Sequence, residues 1–159
     1  MPTNLQHEIG KRKPFDSPEQ EAYLNILRTA AALSGAVFRM FKQHGLSEAT
    51  YNILRILRGE LAAGNEGVPC QTVGERLIAQ VPDVTRLVDR LEQAGLARRS
   101  RTEQDRRVVL ISITRKGLDL LEKLDRPLMD LHKRQLGHMK RTELEELSGL
   151  LVKARHPEE

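Results

Sequence analysis

The chain has 159 residues, 39% hydrophobic and 30% charged, with a formal net charge of +4 at pH 7. That length supports one adequate core, most simply a single folded unit with a protruding arm, and no apolar run approaches the roughly 20 residues that cross a bilayer. Two tyrosines, three phenylalanines and no tryptophan leave no stacking platform for unpaired bases, which disfavours single-stranded DNA or RNA as a partner.

Residues 1–16 show neither a helical nor a strand period and read as an irregular arm. They carry the basic run Lys11, Arg12 and Lys13 but no apolar core or cleavage site of a secretory signal. Ser17-Pro18-Glu19-Gln20 is a helix start: serine caps, proline suits the first helical position, and Gln20 stands where a capping box wants it. The first long helix is expected to reach about His44. Its two adjoining apolar stripes predict burial on more than one side. Ser47 caps a second helix with Ile53, Leu54, Leu57 and Leu61 on its apolar side, and residues 62–69 read as a loop.

A short helix is then expected over about Gln71–Ala79, with Val73, Leu77 and Ile78 inward. After Pro82, the residues Val84, Leu87, Val88 and Leu91 recur at helical spacing until Gly95 supplies a left-handed stop. Two short helices about a tight turn make a helix-turn-helix. Beyond Gly95 the period becomes extended, with two strands, Leu96–Arg101 and Arg107–Ile113, about the polar turn 102–106. Thr114 caps a long leucine-striped helix to about Gln135, which Pro127 should kink or split. Thr142 and Glu145 suggest a capping box for the last helix, lined by Leu144, Leu147, Leu150 and Leu151. The expected fold is therefore mainly α: a helix-turn-helix followed by a small two-stranded β-ribbon, set between longer amphipathic helices.

Between Arg86 and Arg107 lie seven arginines (86, 90, 98, 99, 101, 106 and 107) against four carboxylates (Asp89, Glu92, Glu103 and Asp105), so most of the net charge is local. A helix sized for a major groove, followed by a basic hairpin, is a device for holding duplex DNA. The segment VTRLVDRLEQAGLARRSRTEQDRRVVLISITRKG (84–117) resembles the MarR (multiple antibiotic resistance regulator) family of winged-helix transcription factors. The likeness rests on the recognition helix, the Gly-Leu junction, the Asp-x-Arg wing and the Thr-x-x-Gly exit. Helices of suitable length extend it across about residues 18–155. It implies a winged helix-turn-helix DNA-binding lobe over residues 46–114 with a small two-stranded β-wing, and an interlocked helical dimerisation region over 17–45 and 115–156. It also implies an obligate homodimer on a pseudo-palindromic operator, usually a repressor, often relieved by a small ligand or an oxidant.

On the recognition helix Asp83, Thr85, Arg86 and Arg90 fall off the apolar face and are expected to look outward. Arg86 or Arg90 could donate twice to guanine, Thr85 could meet a thymine methyl or a phosphate, and Asp83 could accept from cytosine N4. The plain alternative is a solvated face carrying local ion pairs, with Asp83 serving the helix dipole. In the wing the resemblance assigns Asp105 to shaping the turn and Arg107 to the minor groove, where A·T sequence concentrates negative potential. Arg98, Arg99, Arg101 and Arg106 are expected phosphate contacts. Phe38, Met40, Phe41 and Tyr51 could line an effector cleft, the alternative being plain core.

Cys70 cannot form an internal disulfide and fits a reducing cytoplasm. It reads as a half-buried structural residue rather than a redox switch. His132 and His138 are six apart and point to different helical faces, so no metal is expected. No cofactor, catalytic constellation or membrane contact is expected either. The rival function is a winged-helix protein-interaction module, which the arginine-laden wing argues against.

Overall fold

The computed structural model describes residues 4–101 and 108–156. The elements in chain order are α1 (Leu5–Glu8), α2 (Pro18–Lys42), α3 (Glu48–Ala62), β1 (Val68–Pro69), α4 (Cys70–Glu75), α5 (Val84–Gln93), β2 (Ala97–Arg101), β3 (Val109–Ile113), α6 (Arg115–Leu136) and α7 (Arg141–Arg155). They fall into two compact units, Met1–Gly45 and Leu46–Glu159.

In the first unit Asn4 caps α1 by accepting from the His7 N–H at 3.0 Å, and Arg28 on α2 pairs with Glu8 at 3.6 Å. Ser17 caps α2 by accepting from the Gln20 N–H at 3.2 Å, and the Gln20 amide oxygen accepts in return from the Asp16 N–H at 3.0 Å. Helix α2 ends at Lys42, two residues before the expected His44. Within the single chain only Phe41 of α2 is buried, while Tyr23 is 62% exposed and Ile26, Leu27 and Phe38 are also open.

The second unit holds the core. Ser47 and Thr50 cap α3 reciprocally, each side chain accepting from the other's backbone N–H at 3.1 and 2.8 Å. Fully buried Ile53, Leu54 and Leu57 of α3 join Val73, Val88, Leu91 and Ile111. The sheet has three antiparallel strands in the order β1-β3-β2, not the expected two. Val68–Pro69 lies in what composition reads as loop and pairs with Leu110–Ile111. Two residues with a proline carry no strand period, and only their edge position beside β3 makes them a strand.

Helix α4 is shorter than expected, stopping at Glu75, and Ile78, expected inward, is 88% exposed. Gly74 explains part of this. It weakens the helix, yet a Cβ there would stand 3.2 Å from the Val84 Cγ2, so close packing of α4 on α5 favours glycine. After Glu75 the chain is held instead by the Arg76–Glu60 ion pair and by the Ile78 N–H, which donates to the Asn52 side chain at 3.3 Å.

Gly95, at φ +71°, turns the chain out of α5. The β2–β3 register sets Ala97 opposite Ile113, Arg99 opposite Ile111 and Arg101 opposite Val109. Thr114 caps α6 by accepting from the Gly117 N–H at 3.1 Å. Helix α6 runs through Pro127 unbroken. Pro127 lies on the exposed side, where water can satisfy the carbonyl left without a donor. The cap of α7 is Lys140 rather than Thr142: Glu143 accepts from the Lys140 N–H at 2.7 Å. No residue of α7 is buried.

Arg58 on α3 grips Asp125 on α6 through two hydrogen bonds of 2.7 and 2.8 Å. The Arg58 hydrogen bond holds the Asp125 carboxyl below its ordinary value. The pair's stabilisation is therefore complete above the unfolded carboxyl value of about 3.9 and is lost as pH falls through the lower folded value. Asp125 keeps 40% of its side chain exposed, so solvent limits the pair to about 1 kcal/mol. Asp125→Asn should lower the melting temperature at pH 7, and the gap between the two melting curves should begin to narrow near about pH 4 and close as pH falls through the lower folded value. A gap that persists in acid would separate the loss from this charge. A second expectation concerns Gly117, where an added Cβ would collide with the Leu96 carbonyl oxygen and the Ile113 side chain. Gly117→Ala should cost about 1–3 kcal/mol in urea unfolding, and an unchanged midpoint would show that the α6 start can give way.

Candidate nucleic-acid interface

Helix α5 divides cleanly by burial. Val88 and Leu91 are buried and Val84 and Leu87 half-buried, whereas Asp83, Thr85, Arg86 and Arg90 are exposed. Asp83 is the N-cap, its carboxylate accepting from the Arg86 N–H at 2.9 Å. That bond orients the carboxylate along the helix start, where it also complements the dipole. Thr85 looks toward the start of α4: its hydroxyl lies 3.8 Å from the half-buried Cys70 sulfur. Arg86 and Arg90 have no ion-pair partner among the described residues. The local pairing of Arg86 with Asp89, the plain alternative from sequence, does not form, because Asp89 is engaged elsewhere.

That engagement is with Arg99 on β2. Its guanidinium donates to Asp89 at 2.6 Å and to Glu92 at 2.6 Å, both on α5, and approaches the Thr85 carbonyl at 3.4 Å. The Arg99 backbone N–H also donates to Glu92 at 3.1 Å. Burial alone would lower the Arg99 pKa, but the hydrogen bonds to the two carboxylates outweigh it and raise the value. Arg99, expected from sequence to contact phosphate, is thus tied into the fold by ion pairs. Glu92 has a signal that could have been used: it stands seven residues before Arg99 across the Gly95 turn.

Alternation along β2 sends Arg98 to the opposite face of the sheet, where its Nε donates to the Ser112 hydroxyl at 3.1 Å. There Arg98, Ser100, Leu110 and Ser112 line an open groove of about 950 Å³ together with Leu57 and Leu61 of α3, and Arg99 and Arg101 also border it. Arg101, at the end of β2, is exposed. Asp105, Arg106 and Arg107 lie outside the described residues. Of the expected effector-cleft residues, exposed Phe38, half-buried Met40 and buried Phe41 belong to the first unit and half-buried Tyr51 to the second. Among the described residues no three His, Cys, Asp or Glu side chains gather as metal ligands, and no helix is long and apolar enough to cross a membrane.

A short edge strand, two short helices about a turn, the second presenting arginines, and then two paired antiparallel strands define a winged helix-turn-helix protein. The MarR family model matches residues 46–109. A solved MarR transcription factor from Planctomyces limnophilus is 42% identical, with a TM-score of 0.65 over 87% of this chain and 98% of its own. The structure of CouR from Rhodococcus jostii RHA1, bound to p-coumaroyl-CoA, is 25% identical with a TM-score of 0.73 over 91% of this chain and 99% of its own. The HTH-type transcriptional regulator TtmR of Methylorubrum extorquens (strain PA1) is 30% identical over 77% of this chain, which spans only 60% of that relative's length. The chain belongs to the MarR family. Its relatives are named as transcriptional regulators, a class without catalytic activity.

Proposed function

We propose that the chain is a cytoplasmic, sequence-specific, double-stranded-DNA-binding transcriptional regulator, acting as a homodimeric repressor on a pseudo-palindromic operator. One observation carries the reading: the outward face of α5 presents Thr85, Arg86 and Arg90 beside an arginine-rich hairpin, with Arg86 and Arg90 free of carboxylates among the described residues. Outward arginines on a helix of this kind are suited to guanine edges, and the hairpin to backbone and minor groove. In this reading Arg86 and Arg90 read bases and Thr85 meets a methyl or phosphate. Arg98, Arg101 and Arg106 neutralise phosphates, and Asp105 shapes the wing turn so that Arg107 enters the minor groove. Asp83 contributes by capping α5.

Residues 46–114 are the DNA-binding lobe and 17–45 with 115–156 the dimerisation region. The apolar side chains left open on α2, together with Met129, Leu150 and Val152 on α6 and α7, support a second copy of the chain as their cover, since a lone soluble subunit rarely exposes so many. CouR's ligand supports a small-molecule effector here as well.

Arg86→Ala should cost about 1–3 kcal/mol on the operator and much less on random duplex if it reads a base. Titrations at several salt concentrations should give a log–log slope of about −5 to −9 for six to ten phosphates neutralised by the dimer. Equal losses on both duplexes would make Arg86 a phosphate contact, and a wild-type slope near zero would remove DNA binding altogether. Leu150 is 58% exposed in the single chain, so Leu150→Asp should spare the fold and dissociate the dimer by placing a carboxylate in its interface. Sedimentation velocity reads this directly, and an intact dimer would take Leu150 out of the interface.

A further inference from the structure

We infer that Arg99, with Asp89 and Glu92, is a positioning clamp that makes the recognition helix and the wing one rigid reading head, and that it is not a DNA contact. The inference rests on the proposed DNA-binding function and assigns a specificity-determining role within it.

Two facts separate Arg99 from its neighbours. The first is geometry. Its side chain bridges two carboxylates one turn apart on α5, at 2.6 Å each, while its own backbone N–H donates to one of them at 3.1 Å. A planar guanidinium held at both ends fixes distance and orientation together, which an ammonium cannot do. The second is burial. Only 26% of the Arg99 side chain is exposed, and it stands on the face of β2 opposite fully buried Ile111. A cation already balanced by two carboxylates offers a phosphate little attraction, because the local charge there is negative.

The clamp adds a polar side-chain link between two reading elements that otherwise share a buried core of Val88, Leu91 and Ile111 and a backbone junction at Gly95–Leu96. The Arg99 guanidinium also reaches the Thr85 carbonyl at 3.4 Å, in the first turn of α5. One side chain therefore touches both the start of the helix, through Thr85, and its end, through Glu92. Strand β2 leads directly into the hairpin, so the offset between major-groove and minor-groove contacts is set at this point. If the clamp opens, α5 and the wing strands are held only by their backbone junction and apolar packing, and the operator must then tighten their mutual orientation on binding. That cost falls on the specific complex, which needs both elements in register, and hardly on loose electrostatic binding.

The test turns on sign as well as size. The double variant Asp89→Asn/Glu92→Gln removes two negative charges beside the interface. Simple electrostatics, with Arg99 then freed for phosphate, predicts tighter binding to every duplex. A positioning clamp predicts the reverse on operator DNA: roughly tenfold weaker binding, a loss typical of side chains acting in one ionic network. Arg99→Ala should weaken operator binding to a similar extent, leave random-duplex affinity nearly unchanged and keep the wild-type salt slope. Arg99→Lys, which keeps the charge and loses the fork, should fall between wild type and Arg99→Ala. Circular dichroism melts establish that each variant is folded, and Arg99→Lys serves should Arg99→Ala fail to fold. If the double variant tightens operator binding, or if Arg99→Ala weakens both duplexes alike and flattens the slope by about one, Arg99 is a phosphate contact and the clamp is overturned while DNA binding stands. A wild-type protein that binds no duplex overturns both.

Discussion

Where α5 ends, β2 begins and α6 starts, one small knot of hydrogen bonds to and between backbone groups fixes the junction of all three. The Leu96 N–H donates to the Leu91 carbonyl at 2.8 Å, and the Thr114 N–H donates to the Leu96 carbonyl at 3.1 Å. The Thr114 hydroxyl donates to the Gly95 carbonyl at 2.7 Å while accepting from Gly117, and Lys116 donates to the Ala94 carbonyl at 2.8 Å. Carbonyls that a helix end would leave unpaired are thus used as joints. Gly95 supplies the left-handed turn and Gly117 the close approach, so the knot tolerates little else at either position. The recognition helix, the hairpin and the long C-terminal helix all radiate from it.

Around that knot the arginines fall into two groups that composition alone cannot separate. Arg58, Arg76 and Arg99 each meet carboxylates on another element: Asp125 on α6, Glu60 on α3, and Asp89 with Glu92 on α5. They join elements and contribute little net charge to the surface. Arg86, Arg90 and Arg101 are exposed and have no ion pair among the described residues. A basic patch counted from sequence therefore overstates the cations available to phosphate, since some arginines are neutralised where they stand.

The N- and C-terminal helices pose a different problem. Ser17, Gln20 and Glu143 form well-made caps, yet α7 buries nothing and α2 only Phe41. Strong local signals with open apolar faces mean that these helices are specified locally and completed elsewhere. A homodimer is the proposed completion.

Legibility followed the range of the interaction. Helical periodicity, the Ser17, Ser47 and Thr114 caps, the Gly95 stop and the alternation into the hairpin are local, so α2, α3, α5, α6 and the two wing strands could be read from the chain alone. The outward set Thr85, Arg86 and Arg90 followed from the same periodicity. Contacts distant in sequence decided the rest. Strand β1 exists only because Val68 and Pro69 lie beside β3. Helix α4 ends early because Gly74 answers to Val84 and the following turn to Asn52 and Glu60. Arg99 is distinguished from Arg98 only by which sheet face meets α5. Local propensity and pattern determined the elements and the charge they carry; which arginines remain available, and where the short elements stop, was decided by tertiary neighbours, because burial and ion pairing depend on three-dimensional proximity that sequence spacing does not encode.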